Sequence, residues 1–232
     1  MKANSYKEWA SDFPKFGEFW YAIYDNFLPQ EAFDDLEHYL GGNTDFPWFF
    51  SKGISGPDPD ETEGVYWATT VYDTARTAER NEWNPLVTNL KPFYPLLARM
   101  NVASMLRIKT NHYQKTYKNE IQIHGPHVDY KFEHRGALFF LTDCNAPTFL
   151  EAGTAVQSKK NRMMFFNSAR AHSSSAPTDA MYRQTINFNF FPNGTYNFLN
   201  PDNPDTKRIK LNASENVTWK DGDKFDWERS LP

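Results

Sequence analysis

Two side chains of the kind that bind metal ions lie two positions apart in the middle of the chain, at His127 and Asp129. On an extended strand, positions i and i+2 point to the same side, so the imidazole and the carboxylate converge. A third histidine, His172, follows a predicted strand within a segment of small residues, 168–175 (SARAHSSS). Two histidines and one carboxylate form the facial triad of non-haem Fe(II) sites, which leaves metal positions open. The sequence therefore predicts a metal site at His127, Asp129 and His172.

An isolated His-x-Asp pair is a weak signal, because a surface histidine in a polar loop beside Gly125 and Pro126 gives the same pattern. Arg183 and Thr185, which begin a predicted strand after His172, make the pattern more specific. An arginine inside a barrel needs an anionic partner, since burying an unpaired guanidinium is costly. A dicarboxylate cosubstrate that chelates the metal at one end would present its other carboxylate to Arg183. The alternative is an outward-facing Arg183 paired with an ordinary acidic side chain.

Asn111 and Tyr113 form a further candidate pair at the end of a predicted strand. Both side chains can donate hydrogen bonds to the same cosubstrate if they face the cavity. The alternative is a turn asparagine beside a core tyrosine, and the sequence leaves both interpretations open.

The elements that must position these residues divide into a helical first part and a strand-rich second part. Helices are predicted over Pro29–Leu40, between a proline and a glycine pair, and within Leu86–Met100. The stretch Phe46–Gly64 is predicted to be a long loop and is a candidate for substrate contact, since long loops near a site often act as lids. Strands are predicted over Met105–Thr110, Gly136–Thr142, Arg162–Phe166 and Gln184–Phe191.

The last predicted strand alternates most regularly. Its polar positions share one face, and its apolar positions share the other (Thr185, Asn187, Asn189 against Ile186, Phe188, Phe190). In a barrel that encloses a ligand cavity, the polar face can be the inside.

Composition restricts the class of protein. The 232 residues are 40% hydrophobic and 17% aromatic, which excludes a disordered chain, and no apolar run is long enough for a membrane span. A net charge of −4 argues against a large nucleic-acid footprint. The single cysteine, Cys144, excludes an intramolecular disulfide and a four-thiolate zinc site. The first ten residues lack the apolar core of a signal peptide, so a cytoplasmic location is expected.

The order of these motifs resembles the 2-oxoglutarate- and Fe(II)-dependent dioxygenases, in particular the prolyl-4-hydroxylase-like branch and its small members from phages and marine bacteria. The resemblance covers about residues 111–191. It rests on the H-x-D pair, the T-F-x-E turn at 148–151, the F-x-S at 166–168, His172, and the R-x-T at 183–185. The opening NFLPQEAFDDL at 26–36 is also similar to the N-terminal helix entry of that branch.

The resemblance implies a function and a ligand set. Fe(II) would be bound by His127, Asp129 and His172, and the distal carboxylate of 2-oxoglutarate by Arg183 with support from Thr185. Asn111 and Tyr113 are similar to the cosubstrate-binding pair of the nucleic-acid demethylase branch. The implied reaction is hydroxylation of a substrate C–H bond with O2, giving succinate and CO2, with ascorbate as a further candidate cofactor.

The resemblance also implies a fold, a mainly β (α+β) double-stranded β-helix, or jelly roll, with flanking helices. We expect a single domain over 1–232, with a helical part at about 1–102, the core at about 103–192 and a polar extension at about 193–232. The chain departs from the prolyl-hydroxylase pattern at the turn 145–148, and at 160–161, where a glycine is usual. A small-molecule, peptide or protein substrate is expected, and a nucleic acid is not.

Two other functions remain open at this point. A non-catalytic jelly-roll module that only binds would keep the fold without needing the triad. A zinc hydrolase could use His124, His127 and Asp129, although Gly125 and Pro126 would break a helix that aligned the two histidines.

Overall fold

The computed structural model describes residues 15–41, 45–53, 65–74, 82–117, 119–151 and 153–192. In this part of the chain, short helices flank an antiparallel β-structure. The helical elements are α1 (Gln30–Gly41), a 3₁₀ turn (Lys91–Phe93) and α2 (Tyr94–Arg99). The strands are β1 (Tyr21–Tyr24), β2 (Phe49–Lys52), β3 (Val65–Asp73), β4 (Glu82–Trp83), β5 (Val102–Gln114), β6 (Gln122–Ile123), β7 (Arg135–Phe140), β8 (Cys144–Leu150), β9 (Thr154–Ser158), β10 (Arg162–Phe166), β11 (His172–Ser173), β12 (Ser175–Ala176) and β13 (Tyr182–Pro192).

The strands form two layers. The larger sheet has the order β1-β10-β7-β13-β5-β3-β2, with β4 paired to β3. The second layer consists of β11-β8-β9 and β12-β6. From β5 onward the chain passes repeatedly between these layers, and all the pairings are antiparallel. This order is that of a jelly roll, so the predicted double-stranded β-helix is confirmed.

Helix α1 covers the outer face of the larger sheet. Its apolar positions Phe33, Leu36 and Leu40 recur at helical spacing, and all three are buried. They belong to the same core cluster as Phe139 and Phe188 of the sheet. The predicted helix at Pro29–Leu40 is confirmed to within one residue at each end.

The second predicted helix is also present, but it is divided. Pro92 lies in the 3₁₀ turn and Pro95 in the first turn of α2, where a missing N–H is tolerated. The longest helix that the structure describes, α1, has 12 residues. None of the described helices is long and apolar enough to cross a membrane.

The first hundred residues were predicted to be helical, and in this respect the structure differs. They also contribute strands β1 to β4 to the larger sheet, and β3 pairs with β5 over most of its length. The predicted loop Phe46–Gly64 contains β2, while its residues 54–64 lie outside the described part. The predicted C-terminal extension at 193–232 lies outside it as well.

Asn161 occupies a position where the resemblance leads one to expect glycine. Its φ of 56° lies in the left-handed region, which asparagine tolerates better than most residues. Its side-chain oxygen accepts a hydrogen bond from the Leu28 N–H (2.8 Å), and its amide donates one to the Leu28 carbonyl (2.8 Å). The departure from glycine therefore ties the turn before β10 to the segment that leads into α1.

Candidate metal centre

The floor of the site is the polar face of two neighbouring strands. Strands β5 and β13 are antiparallel, and their alternate residues pair across the ladder as Tyr113–Arg183, Asn111–Thr185, Lys109–Asn187 and Arg107–Asn189. The apolar positions between them on β13 point the other way, and Ile186, Phe188 and Phe190 are fully buried under α1 and its neighbours. The alternation predicted for β13 thus separates the site from the core.

The three predicted metal ligands lie together. One nitrogen or oxygen atom from each of His127, Asp129 and His172 falls within 4.8 Å of the others. The Nε2 atoms of His127 and His172 lie 4.0 and 3.7 Å from the two carboxylate oxygens of Asp129. The backbone brings the histidines together, because His127 and His172 exchange N–H···O bonds of 2.9 and 3.0 Å.

Both imidazoles are prepared for metal binding. The Nδ1 of His172 lies 3.0 Å from the Arg170 carbonyl oxygen, which can only accept, so Nδ1 carries a proton and Nε2 is the nitrogen directed at the site. Burial, followed by the nearby His172, lowers the pKa of His127 to about 3. His127 is therefore neutral at physiological pH, which is the state that binds a metal.

Asp129 is fixed by residues that the sequence analysis did not identify. Arg107 donates to its Oδ1 at 2.7 Å, while Asn189 and Asn187 donate to its Oδ2 at 2.8 and 3.3 Å. Arg107 also donates to Asn189 (3.0 Å), which closes a ring of hydrogen bonds. Burial alone would raise the pKa of Asp129, but Arg107 and the two imidazoles lower it far below its usual value. The carboxylate is therefore ionised and held in one orientation.

Arg107 was detectable in the sequence. It continues the i, i+2 series of Asn111 and Tyr113 toward the start of β5, and Lys109 lies between. Any strand that places Asn111 and Tyr113 in the cavity also turns Arg107 and Lys109 toward it. The predicted strand Met105–Thr110 contains both positions, so its alternation indicates the direction of both side chains.

Arg183 is fully buried beside the triad. Its guanidinium donates to the Thr148 hydroxyl (2.6 Å) and the Ser175 carbonyl (3.3 Å), and its Nε has no partner in the described part of the chain. Within the described residues, no carboxylate lies within 4.0 Å of it. Both hydrogen-bond partners are neutral, so the charge of Arg183 is left without a counter-ion.

A single cavity contains nearly all of the predicted site residues. Its wall includes two triad histidines, the four predicted cosubstrate residues and an apolar side (His127, His172, Asn111, Tyr113, Arg183, Thr185, Leu138, Phe166). Tyr113 stacks beneath Arg183, 5.6 Å from guanidinium carbon to ring centroid. Burial raises the pKa of Tyr113 to about 12, so its phenol stays protonated and can donate a hydrogen bond.

The alternative ligand set His124, His127 and Asp129 is not brought together. Among the residues that the structure describes, His172, and not His124, completes the cluster. His124 is buried, and its Nδ1 lies 2.8 Å from the Ser174 hydroxyl. The zinc-hydrolase interpretation therefore loses its third ligand.

Comparisons with known proteins give likeness of structure alone. No protein-family model matches the chain, and no curated protein matches it. A Pseudomonas putida prolyl-4-hydroxylase structure has 11% identity and a TM-score of 0.47, over 82% of this chain and 98% of that one. A Trichoplax adhaerens prolyl hydroxylase in complex with a hypoxia inducible factor peptide has 14% identity and a TM-score of 0.49, over 81% and 88%.

A third solved structure, the non-heme alpha-ketoglutarate-dependent epimerase SnoN of nogalamycin biosynthesis, has 12% identity and a TM-score of 0.47, over 94% of this chain and 97% of that one. All three TM-scores lie below 0.5. The chemistry of this chain must therefore be inferred from its own residues.

Proposed function

We propose that the protein is a 2-oxoglutarate- and Fe(II)-dependent oxygenase that hydroxylates a substrate C–H bond and releases succinate and CO2. The observation that carries this proposal is the buried, unneutralised Arg183 in the same cavity as two of the triad ligands. A buried guanidinium without a counter-ion is costly, and a dicarboxylate bound at the metal would neutralise it.

The donor set suits iron. Two imidazoles and one carboxylate would hold Fe(II) through His127, His172 and Asp129, and would leave other metal positions open. When bound, the metal would supply the activation of O2 that drives oxidation of the substrate and of 2-oxoglutarate.

The remaining side chains bind and orient the cosubstrate. Arg183 offers two N–H groups to one carboxylate, and Thr185 and Tyr113 lie in the same wall as further donors. Leu138 and Phe166 form the apolar side of the cavity and exclude water from it. A module that only bound a ligand would have no need of an ionised Asp129 held by Arg107 beside two histidines.

The test is an anaerobic titration of metal-free protein with Fe(II), then with 2-oxoglutarate, followed by visible absorption. We expect a saturable charge-transfer band from the chelate in the wild type. His127→Ala should abolish the band, whereas His38→Ala, an exposed histidine on α1, should keep it. Iron binding without a band would overturn the proposal.

A further inference from the structure

The triad is also reached from a second cavity, which Arg183 does not line. This cavity of about 180 Å³ has Asp129 and His127 in its wall, together with Arg107, Lys109 and Tyr66. The last three side chains also line an outer cleft of about 720 Å³. The inner cavity and the outer cleft therefore share these three side chains, and Arg183 lines neither of them.

One wall of the outer cleft is aromatic. Phe49 on β2, which shares a face with Lys109, and Trp83 on β4 line it with 45% and 37% of their surface exposed, and Tyr72 also lines it. Exposed aromatic side chains gathered in one cleft indicate a binding surface. The volume falls within the roughly 300–1,000 Å³ range of small-molecule sites, in which apolar walls carry a few polar groups that orient the ligand.

The two cations at the junction of these cavities differ in their partners. Arg107 is committed to Asp129 and Asn189. Asp73, the one carboxylate among the described residues lining the outer cleft, also acts on Arg107 electrostatically. The positive charge of Arg107 is therefore largely compensated by these carboxylates, and Arg107 is a poor candidate for binding an anionic ligand.

Lys109 is different. Its ammonium donates to the Tyr66 hydroxyl at 2.9 Å and lies 5.1 Å from the centroid of that ring. In the described part of the chain, no carboxylate lies within 4.0 Å of Lys109. Lys109 thus presents a free positive charge in the same cavity as His127 and Asp129, and an ammonium there favours an anion.

We propose that the substrate is an anionic small molecule, whose carboxylate or phosphate binds Lys109 and whose flat apolar body lies against the aromatic side chains of Phe49 and Trp83 in the outer cleft. The inference rests on the proposed function, since it names the substrate class of that site. Because Lys109 and the triad share one cavity, the oxidised C–H bond lies close to the anionic group.

The experiment measures binding of matched probes to protein saturated with Fe(II) and 2-oxoglutarate under argon, so that the Arg183 end is filled. The probes are 3-phenylpropionate, 2-phenylethyl phosphate and the neutral 3-phenylpropanamide, titrated calorimetrically. We expect at least one anion to bind about tenfold more tightly than the amide, the preference of a charge-assisted hydrogen bond. Equal binding, or no measurable binding of either anion, would overturn the inference.

Three variants assign the preference to one side chain. Lys109→Met should reduce the ratio of anion to amide affinity to near one, and Lys109→Arg should retain most of it. Lys91→Met removes an exposed lysine of the 3₁₀ turn and serves as the control for net charge, so it should leave the ratio unchanged. An unchanged ratio in Lys109→Met would contradict the assignment. The capped pentapeptide Gly-Phe-Glu-Phe-Gly tests for a peptide substrate instead. If it binds tightly and in a charge-dependent way while neither small anion binds, the proposed small-molecule class is wrong.

The chelate band, recorded on the same samples, separates the two proposals. If wild-type protein binds iron without forming the band, the proposed function fails, and the inference fails with it. If the band is intact but the preference for anions is absent, only the substrate class fails. A band that Lys109→Met abolishes would mean that Lys109 serves the cosubstrate, and this too would overturn the inference.

Discussion

At the scale of single residues, the arrangement of Arg107 and Asp129 determines how the metal would be held. Arg107 reaches the carboxylate directly and also through Asn189, so one side chain fixes both carboxylate oxygens. Mutation of such a hydrogen-bond partner of a metal ligand typically lowers metal affinity 10- to 100-fold.

We therefore expect Arg107→Met to weaken Co(II) binding by about 10- to 100-fold, because Asp129 loses its fixed orientation and a compensating charge. Arg107→Lys should recover part of the loss, since it restores the charge without the planar fork. Competition against a chelator gives the affinities, and the visible Co(II) spectrum reports ligand geometry, which a general loss of stability would not alter. Wild-type affinity in Arg107→Met would refute this role.

Arg183 should affect the cosubstrate and spare the metal. Among the described residues that line the cavity, Arg183 alone is cationic at that end, so we expect Arg183→Ala to raise the Kd for 2-oxoglutarate about a hundredfold or more. Fe(II) affinity should stay within about threefold of wild type, because no triad ligand is bonded to Arg183. Arg183→Lys, which keeps the charge, guards against a folding defect. Equal 2-oxoglutarate affinity in wild type and Arg183→Ala would exclude the assignment.

At the scale of elements, Asn161 joins the turn before β10 to the entrance of α1. Asn161→Ala removes the side-chain partner of the Leu28 N–H and carbonyl, and alanine tolerates the left-handed region less well than asparagine, so we expect a loss of about 3–5 kcal/mol in the free energy of unfolding. Asn161→Gly should lose about 1 kcal/mol less, because glycine adopts this φ without strain. Urea unfolding measures both. Equal stability of the two variants would show that the backbone conformation is not a significant factor.

The length of a strand determines whether it can be predicted from the sequence. The long strands β5 and β13 and the strand β10 have periodicity or apolar runs that reveal them. The two-residue strands β6, β11 and β12 exist only through their partners and carry no pattern of their own. Strand β3 was detectable, since its sequence VYWATTVYD is rich in β-branched and aromatic residues, whereas the four-residue β2 depends on its pairing with β3.

The sequence predicts those site residues that belong to a motif or to the two-residue alternation of a strand. His127, Asp129, His172 and Arg183 were identified from type and order, and the structure gathers them around one place. The ring from Arg107 through Asn189 to Asp129 was not, because it depends on the register between β5 and β13, and a single strand does not disclose its register. The same register places Lys109 opposite Asn187.

At the scale of the whole molecule, buried His124 makes stability depend on pH. Burial, followed by Arg183 and His127, lowers the pKa of His124 to about 3. Below the unfolded-state pKa of about 6.5, the unfolded chain binds a proton that the folded chain does not. Above about pH 6.5 both states carry a neutral His124, and this destabilisation is absent. As the pH decreases from there toward 3, the free energy of unfolding falls by about 1.4 kcal/mol per pH unit.

The unfolded His124→Gln chain takes up about one proton fewer than the wild type. Its free energy of unfolding should therefore fall by about 2 kcal/mol less between pH 6.5 and 5. His38→Gln changes an exposed histidine and should leave the slope as it is. Urea unfolding of metal-free protein at the two pH values provides the comparison. Parallel slopes in wild type and His124→Gln would argue against a neutral, buried His124.

The paired backbone bonds between His127 and His172 have a consequence for how the site can be observed. Each amide hydrogen is held by the carbonyl of the other residue, although the two residues are 45 positions apart in the chain. The two amides should therefore exchange with heavy water at similar, slow rates, since opening the bridge exposes both at once. Their common exchange rate would report how often the ligands separate, in a protein that contains no metal, cosubstrate or substrate.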